Sequence, residues 1–248
     1  MPMKNVRIVL VETSHGGNIG AVARAMKNMC LDDLVLVNPR QFMTEECVAR
    51  ASGADDILHE AQVYRSLDEA VADCSLVVGA SARLRTVAWP QLDPRECAEL
   101  VARRVPQDQV ALVFGRERTG LTNAELERCQ YLVHIPSNPG YSSLNLAMAV
   151  QVLSYELMMQ TEADAPDGES GEQEPQPRPL ATAGDMQGLF AHLEQALEDI
   201  GFLDPRKSDK LMRRLKRLFY RAEPDLDEIK ILRGILSAAQ GRKSARRD

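Results

Sequence analysis

Three short segments hold the residue types that a group-transfer site needs, and each follows an apolar run. In the first, Asn18-Ile19-Gly20-Ala21-Val22-Ala23-Arg24 comes after Val6–Glu12 and puts an amide and a guanidinium on one predicted helix. With Asn18 as N-cap, Ile19, Val22, Ala23, Met26 and Cys30 share an apolar face and Arg24 points away from it. The plainer reading of Arg24 is a solvated arginine. A free guanidinium is a poor base, with a pKa above ~12, so a part in proton transfer needs a special partner such as a phosphate. In the second segment, Gly115-Arg116-Glu117-Arg118-Thr119-Gly120 follows Leu112-Val113-Phe114. Gly115 would let a ligand approach the backbone and Gly120 would end the turn. Glu117 between two arginines reads either as a site carboxylate or as an ion-pair cluster. In the third, Val133–Gly140 is punctuated by Pro136, Asn138 and Pro139, then opens through Tyr141-Ser142-Ser143-Leu144-Asn145 onto an almost wholly apolar helix. Ser142 or Ser143 is expected to cap that helix, which must be buried on more than one side. A polar loop opening onto a buried helix makes a backbone-lined pocket; an ordinary strand-to-helix connection is the plainer alternative.

Other chemistries fit less well. Ala80-Ser81-Ala82 after the run Ser75–Gly79 suits a ligand crevice at a strand's carboxyl end. His15 beside Gly16-Gly17 reads as structural rather than catalytic. No metal-ligand spacing and no P-loop signature occurs, so no metal cofactor is expected. Gly16-Gly17-Asn18-Ile19-Gly20 is not GxGxxG, and Leu34–Val37 leads into Asn38-Pro39 rather than an acid, which argues against a dinucleotide-dependent oxidoreductase.

The elements that would position these residues alternate in type. Val6–Glu12, Leu34–Val37, Ser75–Gly79, Val110–Phe114 and Tyr131–Ile135 are strand-sized aliphatic runs, with a weaker one at Gln62–Tyr64. Helical stretches lie between them, at Ile19–Cys30, Thr44–Ser52, Leu67–Asp73, Arg95–Arg104 and Asn123–Cys129. This predicts an α/β domain with a mostly parallel sheet over residues 1–160. Residues 161–185, rich in Pro, Gly, Glu and Gln, read as a disordered acidic linker. Residues 186–248 read as a small all-α domain: Leu189, Phe190, Leu193, Leu197 and Ile200 on one helix, stopped by Gly201, then Ser208–Ala222 and Leu226–Gln240. In Ser208–Ala222, Leu211, Leu215, Leu218, Phe219 and Ala222 face one way, while Lys210, Arg213, Arg214, Arg217 and Arg221 face the other.

The chain's 248 residues carry a net charge of −6, which argues against a generic nucleic-acid binder, but the charge is unevenly spread. Residues 1–160 hold 15 Lys+Arg against 19 Asp+Glu, residues 161–185 one against seven, and residues 186–248 14 against ten. The basic excess therefore lies in the last segment. Five scattered cysteines without a CxxC suit reduced thiols in a cytoplasmic protein. No transmembrane helix or secretory leader is expected.

The three segments, in this order, resemble motifs one, two and three of the SPOUT class of RNA methyltransferases. Glu12-Thr13-Ser14-His15, Leu92-Asp93-Pro94-Arg95-Glu96-Cys97 and Tyr141-Ser142-Ser143-Leu144-Asn145-Leu146-Ala147 are similar to the bacterial TrmJ family of tRNA 2′-O-ribose methyltransferases. One departure is Ser137-Asn138-Pro139, where many relatives have a shorter, Met-containing loop. The resemblance implies a C-terminal trefoil knot in the α/β domain, a homodimer built around it, S-adenosylmethionine as cofactor and tRNA as partner. It implies cofactor contacts at Ala80, Ser81, Ala82, Gly115, Ile135, Ser142, Ser143 and Leu144. It assigns catalysis to Arg24, with Asn18, Glu117, Ser142 and Asn145; the basic helix face of Lys210, Arg213, Arg214, Arg217 and Arg221, in the segment with the basic excess, is expected to hold tRNA phosphates. The expected reaction is methylation of a ribose 2′-OH in the tRNA anticodon loop, at a cytidine or uridine in position 32. The alternative is a non-catalytic RNA- or nucleotide-binding module.

Overall fold

The computed structural model describes residues 4–82, 89–105, 107–163, 179–204 and 208–241. The chain divides into two compact units, residues 1–174 and 175–248. In the first, seven strands form one sheet: β1 Val6–Val11, β2 Asp33–Val37, β3 Gln62–Tyr64, β4 Leu76–Ala80, β5 Gln91–Leu92, β6 Val110–Phe114 and β7 Tyr131–Val133. Every pairing is parallel, and the spatial order is β3-β2-β1-β6-β4-β7-β5. The central strands β1 and β6 are buried at every residue. Their near-continuous Val/Ile/Leu composition suits strands covered on both faces. The weak run at Gln62–Tyr64 does form a strand, at the sheet edge, whereas the two-residue β5 and helix α3 (Asp55–Glu60) carried no periodicity to announce them.

The other helices of this unit are α1 Gly16–Asn28, α2 Glu45–Ala51, α4 Leu67–Ala70, α5 Pro94–Arg104, α6 Asn123–Leu126 and α7 Leu146–Ala163. α1 packs on α2 and α7, and α7 packs also on α5. The helix expected from Ile19 begins three residues earlier, with His15 rather than Asn18 at the N-cap position. Glycine explains the shift. A Cβ on Gly16 would lie 2.5 Å from the Thr44 hydroxyl oxygen, and one on Gly20 would lie 1.9 Å from the Cys47 carbonyl oxygen. The first turns of α1 are thus a glycine seam pressed on α2, and Gly20 serves that seam rather than a turn.

Arg7 is the one charged residue inside the central strand, 8% exposed. Its guanidinium donates to Asp33 at 2.9 Å, to both oxygens of Asp73 at 2.6 and 3.1 Å, and to the Ala70 carbonyl at 2.9 Å. Burial alone would lower its pKa, but the bonds to Asp73 and Asp33 raise it above the usual arginine range. A buried charge survives only when paired this fully.

The second unit holds α8 Ala183–Asp199, α9 Ser208–Ala222 and α10 Leu226–Ala239. Capping boxes start α8 (Thr182 with Asp185) and α10 (Asp225 with Glu228). Gly201, at φ +73°, stops the chain after α8. The core joins Met186, Leu189, Phe190 and Ile229, with Leu193, Leu203 and Met212 beside them. Two expectations need correction. Met212 is buried, whereas Leu218 is 50% exposed, because the buried face of α9 is rotated toward Leu211, Met212, Leu215 and Phe219. The linker is also shorter than 161–185: α7 runs to Ala163, Leu180 bridges to Asp225, Ala181 is buried and α8 begins at Ala183. Residues 164–178, where the disorder was expected, lie outside the described residues.

Gly20→Ala sets two effects against each other. Alanine gains roughly 0.5–1 kcal/mol in a helix interior, while overpacking against backbone costs about 1–3 kcal/mol or more. With backbone at 1.9 Å the clash dominates. Urea unfolding should show a loss of stability; a gain would mean that α1 and α2 separate freely.

Candidate active site

The carboxyl ends of β4, β6 and β7 open on a cleft of about 270 Å³. Ligand crevices in parallel sheets form at such edges. Phe114, Leu121, Val133, Ile135, Leu146 and Ala149 give it an apolar lining. Ala80, Ser81, Ala82, Gly115, Ile135, Ser142, Ser143 and Leu144, the eight expected cofactor residues, all lie on its wall. The hydroxyl-bearing Ser142 and Ser143 are exposed.

Glu117 joins the separate segments. Its carboxylate accepts from the Ser14 amide at 3.2 Å, the Ser14 hydroxyl at 2.8 Å, the His15 amide at 3.4 Å and Asn18 Nδ2 at 3.0 Å. Asn18 Oδ1 in turn accepts from Asn145 Nδ2 at 3.1 Å. Asn145 also caps α7: its Oδ1 accepts from the Ala147 amide at 2.9 Å and its carbonyl from Ala149 at 3.0 Å. Asn145 therefore takes the capping role expected of Ser142 or Ser143. Partial burial works to raise the Glu117 pKa, but the bonds from Asn18, its own backbone and Ser14 outweigh it and hold the group at about 2. A carboxylate so acidic, with its lone pairs occupied, organises the site and is a poor proton acceptor.

The arginines beside Glu117 do not pair with it. Arg116 bonds Glu125 at 3.0 Å through both terminal nitrogens and bonds Glu12 at 3.0 and 2.8 Å. Glu12, directly after β1, has φ +49°, a costly conformation for a residue with a side chain, and Arg116 braces it there. Arg118 is exposed on the cleft wall and makes no ion pair among the described residues. Gly115 is required for a different reason from the one its motif suggests. A Cβ there would lie 2.2 Å from the Gly120 carbonyl carbon, because the 115–120 turn closes on itself through a bridge between Arg116 and Gly120.

One positioning contact had no sequence signal. The Ser81 amide donates to the Val133 carbonyl at 3.0 Å, and His134 Nδ1 lies 3.0 Å from the Ser81 carbonyl. A carbonyl only accepts, so Nδ1 carries the proton. His134 thus clamps the cleft segment after β4 onto the end of β7.

The expected catalytic residues divide. Glu117 and Ser142 line the cleft, and Asn18 and Asn145 hold Glu117 in a chain of hydrogen bonds. Arg24 lies six residues beyond Asn18 on α1, exposed, outside the cleft lining and without a partner among the described residues. In the second unit Lys210, Arg213, Arg214 and Arg221 are exposed on α9 and Arg217 is half-buried. Lys216, not expected to matter, sits 5.9 Å above the Phe190 ring.

Comparison with known proteins adds to this geometry. Residues 5–155 match the SpoU rRNA Methylase family, and residues 184–248 match the tRNA methyltransferase TrmJ, C-terminal domain. The tRNA (cytidine/uridine-2'-O-)-methyltransferase TrmJ of Escherichia coli K12 is 52% identical over 238 residues, 96% of either chain. The crystal structure of TrmJ from Z. mobilis ZM4 superposes with a TM-score of 0.81 at 33% identity, covering 96% of this chain and 98% of that one. A structure concerned with 2-OH methylation of C/U34 on tRNA is 25% identical, with a TM-score of 0.51 over 64% of this chain and 97% of that one.

Replacing Glu117 with Gln puts an amide against donors and should destabilise the first unit by about 1–3 kcal/mol at neutral pH. The sign of its pH dependence follows from the depressed pKa. The Glu117 contribution is complete above the ordinary carboxylate range near pH 4.5 and is lost as pH falls through about 2. Urea midpoints of wild type and Glu117→Gln should therefore differ by a constant amount from pH 7 to pH 5 and converge toward pH 2. An equal gap at both extremes would show that the Glu117 charge does not hold these loops.

Proposed function

The chain belongs to the TrmJ family of SpoU-type methyltransferases, and from that premise we propose how its residues carry out the family's reaction. The activity is that of a tRNA (cytidine/uridine-2′-O-)-methyltransferase, with S-adenosylmethionine as methyl donor. The observation that carries the reading is the Glu117 chain of hydrogen bonds, which draws the loop before α1, the turn after β6 and the start of α7 around one cleft.

The cleft fits the donor. Its apolar wall at Leu121, Ile135 and Leu144 suits a purine, and the Ser142 and Ser143 hydroxyls beside it suit polar substituents. When bound, S-adenosylmethionine supplies a methyl group already activated on a sulfonium, so the protein's work is alignment and proton removal. His134 and Val133 hold Ser81 in place, and Asn18, Asn145 and Glu117 keep the facing loops from relaxing. Ser142 presents its hydroxyl where the ribose enters. The ribose oxygen would take the methyl group as the methyl–sulfur bond breaks and a neutral thioether leaves, and its 2′-OH proton would be given up; Arg24 would polarise that hydroxyl while a paired substrate phosphate relays the proton to solvent.

Arg24 is outside its own cleft, and this supports a homodimer in which it reaches a neighbouring subunit's site. Met148 and Tyr155 are exposed on α7, at 61% and 47%, seven residues and so two turns apart on one stripe. That stripe is the dimer contact in this reading, beside the trefoil knot that the SPOUT resemblance implies. The α9 cations hold tRNA phosphates. A tRNA substrate places the enzyme in the cytoplasm, and among the described residues no helix is long and apolar enough to cross a membrane. The target is position 32 of the anticodon loop, where an unpaired nucleotide can be unstacked and its sugar presented.

Methyl transfer to tRNA tests the chemistry. A tRNA with a 2′-deoxy nucleotide at position 32 should bind but accept no methyl group; labelling at position 34 instead would move the target. Arg24→Ala should retain S-adenosylmethionine affinity while single-turnover transfer falls by roughly 10²–10⁴, and wild-type turnover would remove Arg24 from the mechanism.

Met148→Glu puts a charge in the α7 stripe at its most exposed apolar residue. Sedimentation should show a dimer for the wild type and a monomer for the variant; a variant that still sediments as a dimer would place the interface elsewhere.

A further inference from the structure

Four exposed basic side chains of the first unit follow the strand order. β3, β2, β1 and β6 are neighbours and parallel, so their carboxyl ends lie side by side along one sheet edge. Arg65 directly follows β3, and Arg40, His15 and Arg118 lie in the segments after β2, β1 and β6. All four side chains are exposed, and none makes an ion pair among the described residues.

The segments bearing them are tied together. The Asn38 side chain donates to the Arg65 carbonyl at 2.6 Å, linking the ends of β2 and β3. The Arg40 amide donates to the Thr13 carbonyl at 3.0 Å, linking those of β2 and β1. Ser14 donates to Glu117, linking those of β1 and β6. The four side chains therefore project from a continuous ledge. It spans three interstrand spacings, about 14 Å, and ends in the cleft, whose wall includes Arg118. Three carboxylates beside the ledge are occupied, Glu12 by Arg116, Glu117 by Ser14 and Asn18, and Glu69 by the Arg65 amide, while the exposed Glu46 lies against Gly17 at the start of α1. At the opposite edge Arg7 is consumed by Asp33 and Asp73.

We propose that this ledge, from Arg65 through Arg40 and His15 to Arg118, is a sugar-phosphate track that guides the substrate RNA strand into the cleft. The inference rests on the tRNA reading above and adds a binding surface within the first unit. Its chemistry is charge matched to phosphate with no base readout. It gives the catalytic unit its own hold on the nucleotides around the target, although that unit's net charge is negative.

The test uses the full chain with both arginines furthest from the cleft replaced, Arg40→Gln and Arg65→Gln together. tRNA affinity is measured across a salt series, and S-adenosylmethionine affinity by calorimetry. Losing two phosphate contacts should reduce the slope of log affinity against log salt by about 1.4–1.8 and leave the cofactor affinity unchanged. Arg103→Gln is the control: Arg103, in the last turn of α5, is also exposed and unpaired among the described residues, and it precedes β6 at the opposite sheet edge. It should keep the wild-type slope. A double variant with the wild-type slope overturns the track, as does an Arg103 variant that loses slope as much per charge. Wild-type protein that binds tRNA with the expected salt dependence but transfers no methyl group would overturn the proposed reaction and leave the track standing.

Discussion

The Glu117 carboxylate is the point through which the catalytic unit becomes one site. Parallel sheets deliver their loops to a common edge, but adjacency alone leaves those loops free to move independently. Glu117 removes that freedom by accepting hydrogen bonds from Ser14, His15 and Asn18, residues about a hundred positions earlier in the chain. An ionised acceptor forms bonds about twice as strong as a neutral one, and its low pKa keeps it ionised. The two arginines that flank it in sequence are directed elsewhere. Arg116 spans Glu12 and Glu125, bracing the strained residue after β1, while Arg118, on the cleft wall, makes no ion pair among the described residues.

The same region shows why glycines stand in and beside the first two motifs. Ligand approach would have been a sufficient reason for Gly16, Gly20 and Gly115, but each is instead required by protein backbone or side chain at 1.9–2.5 Å. The seam sets α1 against α2, and Asn18, on the same helix, reaches Glu117 and Asn145. A change in the seam would thus reach the active site as a rotation of α1, without touching any residue that faces the cleft.

Much of this architecture was legible in the residues. Strands such as Leu34–Val37 and Val110–Phe114 are continuous aliphatic runs with sharp boundaries, and burial on both faces requires that pattern. Leu92-Asp93-Pro94-Arg95-Glu96-Cys97, part of the family resemblance, has a physical meaning of its own: Asp93 and Glu96 form a capping box and Pro94 sits in the first turn of α5. The wall of the cleft was also legible, because its residues follow strand ends. Long-range polar partners were not. Nothing local tells that Asn18 will meet Glu117 and Asn145, that Arg7 will be buried between two aspartates, or that His134 will hold Ser81, since each contact depends on strand order rather than periodicity. The position of Arg24 outside the cleft belongs to the same class. Helical phase shows which way a side chain leaves its helix, not what lies beyond it.

Asn145 has two jobs, and they are inseparable. One side chain starts α7 by accepting the Ala147 amide and, with its other end, completes the bond to Asn18. Fraying of the first turn of α7 and loosening of the catalytic loops are therefore a single event with a single equilibrium. The Ala147 amide is a built-in reporter of that equilibrium: whatever tightens the site slows its hydrogen exchange, and whatever frays the helix lowers the population of competent sites by the same factor.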